Sequence, residues 1–170
     1  MQDLMDFEVV SELLSLDARD EKRDRLFLSA VSEEICQFLG RNLLTGTTTE
    51  RMYTENSLFY PKQYPVREFI EIVDDSTGIH LELAPESAIR AISLPNAHTN
   101  RSYRLQGEHD RMIRYTYRYG YELAEIPALI QACVLDLMRD RLEGFGLKTE
   151  EDEKKADRLK DINVYRRLYL

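Results

Sequence analysis

The stretch that decides the fold is MIRYTYRYGYELAEIPALIQACVLDLMRDRL, residues 112–142. Its first ten residues alternate in character. The even positions are mostly polar, and the odd ones carry Ile113, Tyr115, Tyr117, Tyr119 and Tyr121. A period of two with one large apolar or aromatic face is expected of a half-buried β-strand. We therefore predict a strand here whose tyrosine face contributes to the core.

The second half of the stretch has the pattern of a helix. Pro127 suits the first turn, because the N–H that proline lacks would have no partner within the helix there. Apolar residues then recur at helical spacing, and Gly144 provides a stop. This predicts a helix over 127–143 with a buried face of Leu129, Ile130, Cys133, Val134, Leu137, Met138 and Leu142. The strand and the helix together are expected to form the packing centre.

Two further helices are predicted before this stretch, over 6–16 and 21–39. The first has an apolar side of Phe7, Val10, Leu13 and Leu14. The second has a longer apolar stripe and ends at Gly40, which is a natural helix C-cap. That stripe consists of Leu26, Phe27, Ala30, Val31, Ile35, Phe38 and Leu39.

The segment 45–121 reads as a β-rich insertion between the second and third main helices. A threonine-rich start favours extended structure, and residues 69–73 and 79–83 predict a hairpin across the turn 74–78. Further short strands are predicted at 88–94 and 103–105. The expected fold class is mainly α with a small antiparallel β-element (α+β), in which a helical bundle core carries this hairpin and strand insertion.

The chain is expected to form one domain over 1–147, followed by a charged C-terminal helix or arm over 148–170. The last residues combine aromatic, basic and aliphatic side chains that a small domain has little reason to expose. This tail, Tyr165, Arg166, Arg167, Leu168, Tyr169 and Leu170, either folds back on its own core or forms a partner-binding arm.

Composition excludes several classes of protein. Of the 170 residues, 43% are apolar and 32% are charged, and the net charge is −8. An acidic chain is a poor general coat for nucleic acid, since phosphate neutralisation needs clustered lysine and arginine. No apolar run reaches the roughly 18 residues of a membrane span, and no signal peptide is evident, so we expect a cytoplasmic protein without a membrane partner. Cys36 and Cys133 are expected to be buried free thiols.

No catalytic constellation can be assembled from the sequence. The three histidines, His80, His98 and His109, have no cysteine, aspartate or histidine at a metal-ligand spacing, and zinc, calcium, phosphate-loop and nucleophile-elbow motifs are missing. We therefore predict that the protein is not an enzyme and uses no cofactor or metal.

One electrostatic feature stands out. Five arginines fall within a short span in which only Glu108 and Asp110 oppose them: Arg101, Arg104, Arg111, Arg114 and Arg118. They form either a solvated strand face or a basic patch that contacts DNA phosphate or an acidic partner surface.

The order of these parts resembles the head–tail connector (adaptor, head-completion) proteins of tailed phages and prophages. Two helices, the second ending in CQFLGR at 36–41, precede a threonine-rich extended segment and the elements LFYP at 58–61 and YPV at 64–66. The strand YTYRYGY at 115–121, the Ile126-Pro127 pair and a long helix follow. The resemblance covers roughly residues 6–143, and it rests on the ordered set rather than on one motif.

The resemblance implies a mechanical role in the virion. Such a protein assembles in the host bacterial cytoplasm as a ring, typically twelve-fold, beneath the portal protein. The ring extends the DNA channel, completes the head after DNA packaging and docks the next neck or tail protein. The resemblance also implies that the tail 165–170 grips the portal. The five arginines would face DNA in the channel, without sequence specificity, or an acidic neighbour.

Two other hypotheses stay open at this point. One is a neighbouring neck or tail-completion protein, a class that is usually richer in β-structure. The other is a cytosolic nucleic-acid-binding module that uses the arginine-rich strand, whose signature would be DNA binding that weakens steeply as salt rises.

Overall fold

The computed structural model describes residues 3–86, 102–107, 110–143, 159, 160 and 162. These residues fall into two compact units. A helical unit contains 3–44 and 122–143 with 159, 160 and 162, and a β unit contains 45–86, 102–107 and 110–121. The predicted strand at 88–94 and most of the predicted arm at 148–170 lie outside the described residues.

The helical unit is built from three α-helices with clear local signals. Helix α1, Phe7–Leu14, is capped by Asp6, whose carboxylate accepts the Glu8 N–H at 2.8 Å. A 3₁₀ turn, Ala18–Asp20, leads into α2, Glu21–Leu39, which ends at Gly40 with φ +67°. Helix α3, Ala128–Glu143, begins directly after Pro127. Arg141 of α3 forms a 2.9 Å ion pair with Glu34 of α2.

The buried face of α2 differs from the predicted stripe at several positions, whereas that of α3 largely agrees with it. Leu26 and Leu129 were expected to be buried but are 64% and 41% exposed. Helix α2 instead buries Asp24, Leu28, Val31, Ser32, Ile35 and Leu39. Two of these are polar, and each has a hydrogen-bond donor: Asp24 accepts a bond from the neighbouring Arg23, and Ser32 accepts one from the Leu4 N–H, 28 residues earlier in the chain. A stripe drawn through apolar residues alone therefore missed the true orientation of the helix.

The β unit has two antiparallel sheets. The larger contains β1, Gly46–Tyr53, β3, Val66–Asp74, and β5, Met112–Tyr119, in the order β1-β5-β3. The smaller pairs β2, Leu58–Phe59, with β4, Tyr103–Arg104. The β1–β5 register runs without a shift from Gly46 opposite Tyr119 to Tyr53 opposite Met112, whereas the β3–β5 register shifts twice.

The tyrosine face of the central strand is confirmed as core. Ile113, Tyr115, Tyr117, Tyr119 and Tyr121 are all 8% exposed or less. The first four pack with Phe59, Tyr103 and Leu105, so that the two small strands close over the aromatic face. Strand β5 belongs to the β unit and α3 to the helical unit, and each contributes buried side chains to the core of its own unit.

The predicted hairpin at 69–83 is only partly correct. The turn after Asp74 is present, but its return segment makes a single bridge, His80 to Val73, and donates the Leu81 N–H to Ile72 O. The segment then leaves β3 and bridges Leu105 through Leu83. The true partner of β3 is β5, about 40 residues further along the chain, and local sequence cannot reveal that pairing.

The prediction of a mainly α fold is therefore wrong. Within the described residues there are three α-helices and five strands, and strand makes up about 28% of the structure, which is a balanced α+β fold. The error came from treating the middle of the chain as a hairpin attached to a helical core. It is instead a sheet with its own aromatic core.

Candidate functional site

The open face of the large sheet lies opposite the tyrosine core. Residues directly across an antiparallel pair share a face. We therefore define the open face by the register of the three strands as Thr47, Thr49 and Arg51 of β1, Arg114, Thr116 and Arg118 of β5, and Glu68 and Glu71 of β3. A 2.9 Å hydrogen bond joins the hydroxyls of Thr49 and Thr116 at its centre. This face holds two of the five arginines picked out from the sequence.

The arginines of this region meet carboxylates from β3 and the turn that follows it. Arg118 lies 3.5 Å from Glu68, and Arg51 and Arg114 lie 3.4 and 3.9 Å from Asp75. Arg111, just before β5, pairs with Asp74 at 2.8 Å. These acids lie far from the arginines in sequence, so a local count of charges found only Glu108 and Asp110. These carboxylates therefore offset most of the positive charge of the arginines.

The five arginines of the predicted basic patch do not all lie together in the structure. Arg111, Arg114 and Arg118 lie on or next to β5, whereas Arg104 belongs to β4 in the smaller sheet. Arg101 lies outside the described residues. Contact of these arginines with DNA or with a neighbour stays a prediction.

Asp74 organises the turn that follows β3. One carboxylate oxygen accepts the Ser76 hydroxyl and the Ser76 and Thr77 N–H groups, and the other accepts from Arg111. The Ser76 hydroxyl and N–H, then the Thr77 N–H and Arg111, hold the pKa of Asp74 well below its ordinary value. The turn is thereby tied to the start of β5.

The lowered pKa of Asp74 predicts a loss of stability in acid. As pH falls below about 4, the ordinary aspartate pKa, the unfolded chain binds a proton at Asp74 before the folded chain does, so unfolding becomes easier. The free energy of unfolding should fall from about pH 4 downwards, towards the lower pKa of the folded state. The Asp74→Asn variant should be less stable at pH 7 and should show a shallower decline below pH 4. Denaturant titrations at several pH values test this, and parallel declines for the two proteins would contradict it.

A second polar network lies on the aromatic face, around Glu50 of β1. Its carboxylate accepts hydroxyls from Tyr115 at 2.9 Å and Tyr117 at 2.6 Å, and the Lys62 N–H at 3.1 Å. The Gln63 N–H donates to the Tyr117 oxygen at 2.8 Å. Burial, followed by the hydrogen bond to Glu50, raises the pKa of Tyr117. The network ties the β2–β3 connection to the sheet, and no motif in the sequence marks Glu50 for this role.

The other sequence candidates are placed as follows. His80 lies exposed in the return segment, and His98 and His109 lie outside the described residues. Within the residues that the structure describes, no group of three or more histidine, cysteine, aspartate or glutamate side chains could hold a metal ion. In the same part of the chain, no helix combines the length and the apolar character needed to cross a membrane.

The C-terminal tail 165–170 lies outside the described residues. Just before it, Leu159 and Ile162 are buried, at 8% and 0% exposed. Part of the predicted arm thus contributes to packing. The role of the tail itself stays a prediction.

Comparison with known proteins shows which solved structures share the fold of this chain. No family model and no curated protein matches the chain. Several solved structures match the fold of the chain, among them the following three, all at low sequence identity. The first, "Neck of empty GTA particle computed with C6 symmetry", contains a chain with a TM-score of 0.66 and 10% identity, over 98% of this chain and 91% of that one.

The other two structures agree with the first. A chain of "Neck of native GTA particle computed with C12 symmetry" matches with a TM-score of 0.59 and 13% identity, over 95% of this chain and 89% of that one. A chain of "Virion of native gene transfer agent (GTA) particle" matches with a TM-score of 0.60 and 12% identity, over 91% and 81%. The chain therefore has the fold of proteins in the neck of a phage-like particle, and its resemblance to head–tail connectors is confirmed at the level of the fold.

Proposed function

We propose that the protein is a structural component of the neck of a phage-like particle, acting as a head–tail connector (adaptor). The observation that carries this proposal is the fold match over nearly the whole of both chains, 98% of this one and 91% of a chain from the neck of a gene transfer agent. Both units of the chain take part in a match of that extent. The function is mechanical and involves no cofactor.

In the finer form of the proposal, copies of the chain form a ring beneath the portal. The ring extends the DNA channel, closes the head after packaging and offers a docking surface to the next neck or tail protein. One neighbouring structure was computed with C12 symmetry, which supports a twelve-fold arrangement here. A ring of identical copies needs a heterologous interface, in which two different surfaces of the same chain meet.

The tail 165–170 is the proposed grip on the portal. Two tyrosines and two arginines in six residues supply the side-chain types that dominate binding energy at protein interfaces. The arginines near β5 have a different proposed role. Since Arg111, Arg114 and Arg118 each lie close to a carboxylate, they release few counterions from DNA and contribute more to the sheet and to protein contacts.

Deleting the gene in the cell that produces the particle tests the proposal. We expect heads that package DNA but carry no tail, or that lose their DNA on purification, when particles are imaged by electron microscopy. A copy of the gene supplied in trans should restore complete particles. Normal yields of tailed, DNA-filled particles without the protein would overturn the proposal.

A further inference from the structure

Strand β1 is an edge of the large sheet, since the order is β1-β5-β3. The hydrogen bond from Thr54 N–H to Arg111 O shows which pairs of the β1–β5 ladder exchange bonds. Because such pairs alternate, Thr48, Glu50 and Met52 use their backbone groups on β5. The alternate residues, Thr47, Thr49, Arg51 and Tyr53, direct their N–H and C=O groups away from the sheet. Among the described residues these outward groups have no hydrogen-bond partner.

This edge has few of the features that usually protect an edge strand. Proteins blunt such edges with proline, bulges, very short strands or a covering segment. Strand β1 is eight residues long, contains no proline, and keeps its register with β5 throughout. The opposite edge, β3, has register shifts between Val66 and Glu68 and between Phe69 and Glu71, and its end is covered where the return segment bonds Ile72 and Asp74. Residues 68–71 include the second shift, but no described segment bonds their outward backbone groups. The β1 edge of the sheet is therefore regular and uncovered, whereas the β3 edge is irregular and partly covered.

The charges on the two edges are complementary. On the open face β1 presents Arg51 and no acid, whereas residues 68–71 of β3, before the covered part, present Glu68 and Glu71 and no cation. Within one chain Arg51 lies 3.4 Å from Asp75 and Glu68 lies 3.5 Å from Arg118, but the Arg51 and Glu68 side chains are 66% and 59% exposed. Exposed ion pairs of this kind contribute little, so both side chains can exchange their partners for those of a neighbour. Edges of opposite sign on one chain suit contact between identical copies.

We propose that the outer edge of β1 pairs with residues 68–71 of β3 in a second copy of this chain, so that the sheet continues across the seam between protomers. This is strand addition at an open sheet edge, in which main-chain hydrogen bonds join the partners. It joins two different surfaces, which is the heterologous contact that a ring requires. The inference rests on the proposed function for its ring, and it names the surface that closes the ring.

The variant Thr49→Pro tests the edge with little change to the rest of the sheet. Proline removes an N–H that points outward and is unused in the β1–β5 ladder, and proline is tolerated on edge strands. Thr49→Ala is the matched control, because both variants lose the hydroxyl contact with Thr116 but only the proline loses the donor. We expect Thr49→Pro to raise the dissociation constant of ring assembly on the portal at least about tenfold over Thr49→Ala. Equal assembly of the two variants, with circular dichroism showing both folded, would overturn the proposal.

Hydrogen–deuterium exchange of the unmodified full chain gives a second readout that does not depend on a variant. The amides of Thr47, Thr49, Arg51 and Tyr53 should exchange quickly in the monomer and slowly in the assembled ring. Those of Thr48, Glu50 and Met52 should be slow in both, because they bond β5.

Three other results would each overturn the edge proposal. Slow exchange at Thr47, Thr49 and Arg51 in the monomer would show that the chain covers its own edge. If these amides exchanged slowly in single copies bound to the portal without a neighbouring copy, the edge would pair with a partner other than a second copy of this chain. A ring in which these amides still exchange quickly would refute the seam while leaving the connector function intact, whereas a chain that never joins the portal would refute the proposed function itself.

Discussion

Replacing Tyr115 by alanine is expected to lower the free energy of unfolding of the β unit by about 3–5 kcal/mol, the usual range for deleting a buried aromatic ring. Tyr115 is 1% exposed. Its ring centroid lies 4.9 Å from that of Phe59 and 5.6 Å from that of Tyr117. Its hydroxyl donates to Glu50. The variant thus leaves a cavity at the centre of the aromatic cluster and removes one donor from a half-buried carboxylate.

Arg118→Ala is the matched control on the same strand. Its side chain lies on the open face, is 63% exposed, and makes a 3.5 Å surface pair with Glu68. Pairs of this kind contribute little, so the expected change is within about 0.5 kcal/mol. Chemical denaturation followed by circular dichroism measures both variants. If Tyr115→Ala were no more destabilising than Arg118→Ala, the tyrosine face would not be the core.

Removing the C-terminal tail is expected to abolish tight binding to the portal. Tyrosine and arginine hot spots contribute about 2 kcal/mol or more each, which is roughly 30-fold in affinity per residue. Residues 165–170 contain four such side chains. A chain that ends at Lys148 and one that ends at Ile162 should both lose binding, as measured by pull-down or mass photometry with the purified portal ring.

The two truncations separate binding from folding. Leu159 and Ile162 are buried, so ending the chain at Lys148 removes packing as well as the tail and should lower the melting temperature. Ending it at Ile162 keeps both side chains and should leave the melting temperature nearly unchanged. If the chain that ends at Ile162 binds the portal as tightly as the full chain, the tail is not the grip.

Local patterns in the sequence were sufficient to locate the three helices and the central strand of this fold. The alternation from Ile113 to Tyr121 marked the core strand, and Pro127 and Gly40 marked where helices begin and end. The three observed helices start and finish within two residues of the predicted bounds. Each of these signals depends on residues that are close together in the chain, where side-chain period and capping act directly.

What the sequence could not reveal depends on contacts between distant residues. No local pattern shows that β5 lies between β1 and β3, and so the sheet was mistaken for a hairpin and the fold for a mainly α one. The acids that offset the arginines, Glu68, Asp74 and Asp75, are supplied by the same unforeseen pairing. Buried Asp24 misled the reading of α2 for a different reason: one oxygen of its carboxylate pairs with Arg23, and a hydrophobic pattern does not register a paired polar residue.

The most direct test of the connector function is an electron-microscopic reconstruction of the cognate portal ring mixed with an excess of the full chain. We expect a second ring of this chain, stacked coaxially on the portal and continuing its central channel, with the symmetry of twelve copies. Portal rings that carry no added density, at concentrations where the chain is folded and in excess, would contradict the connector function.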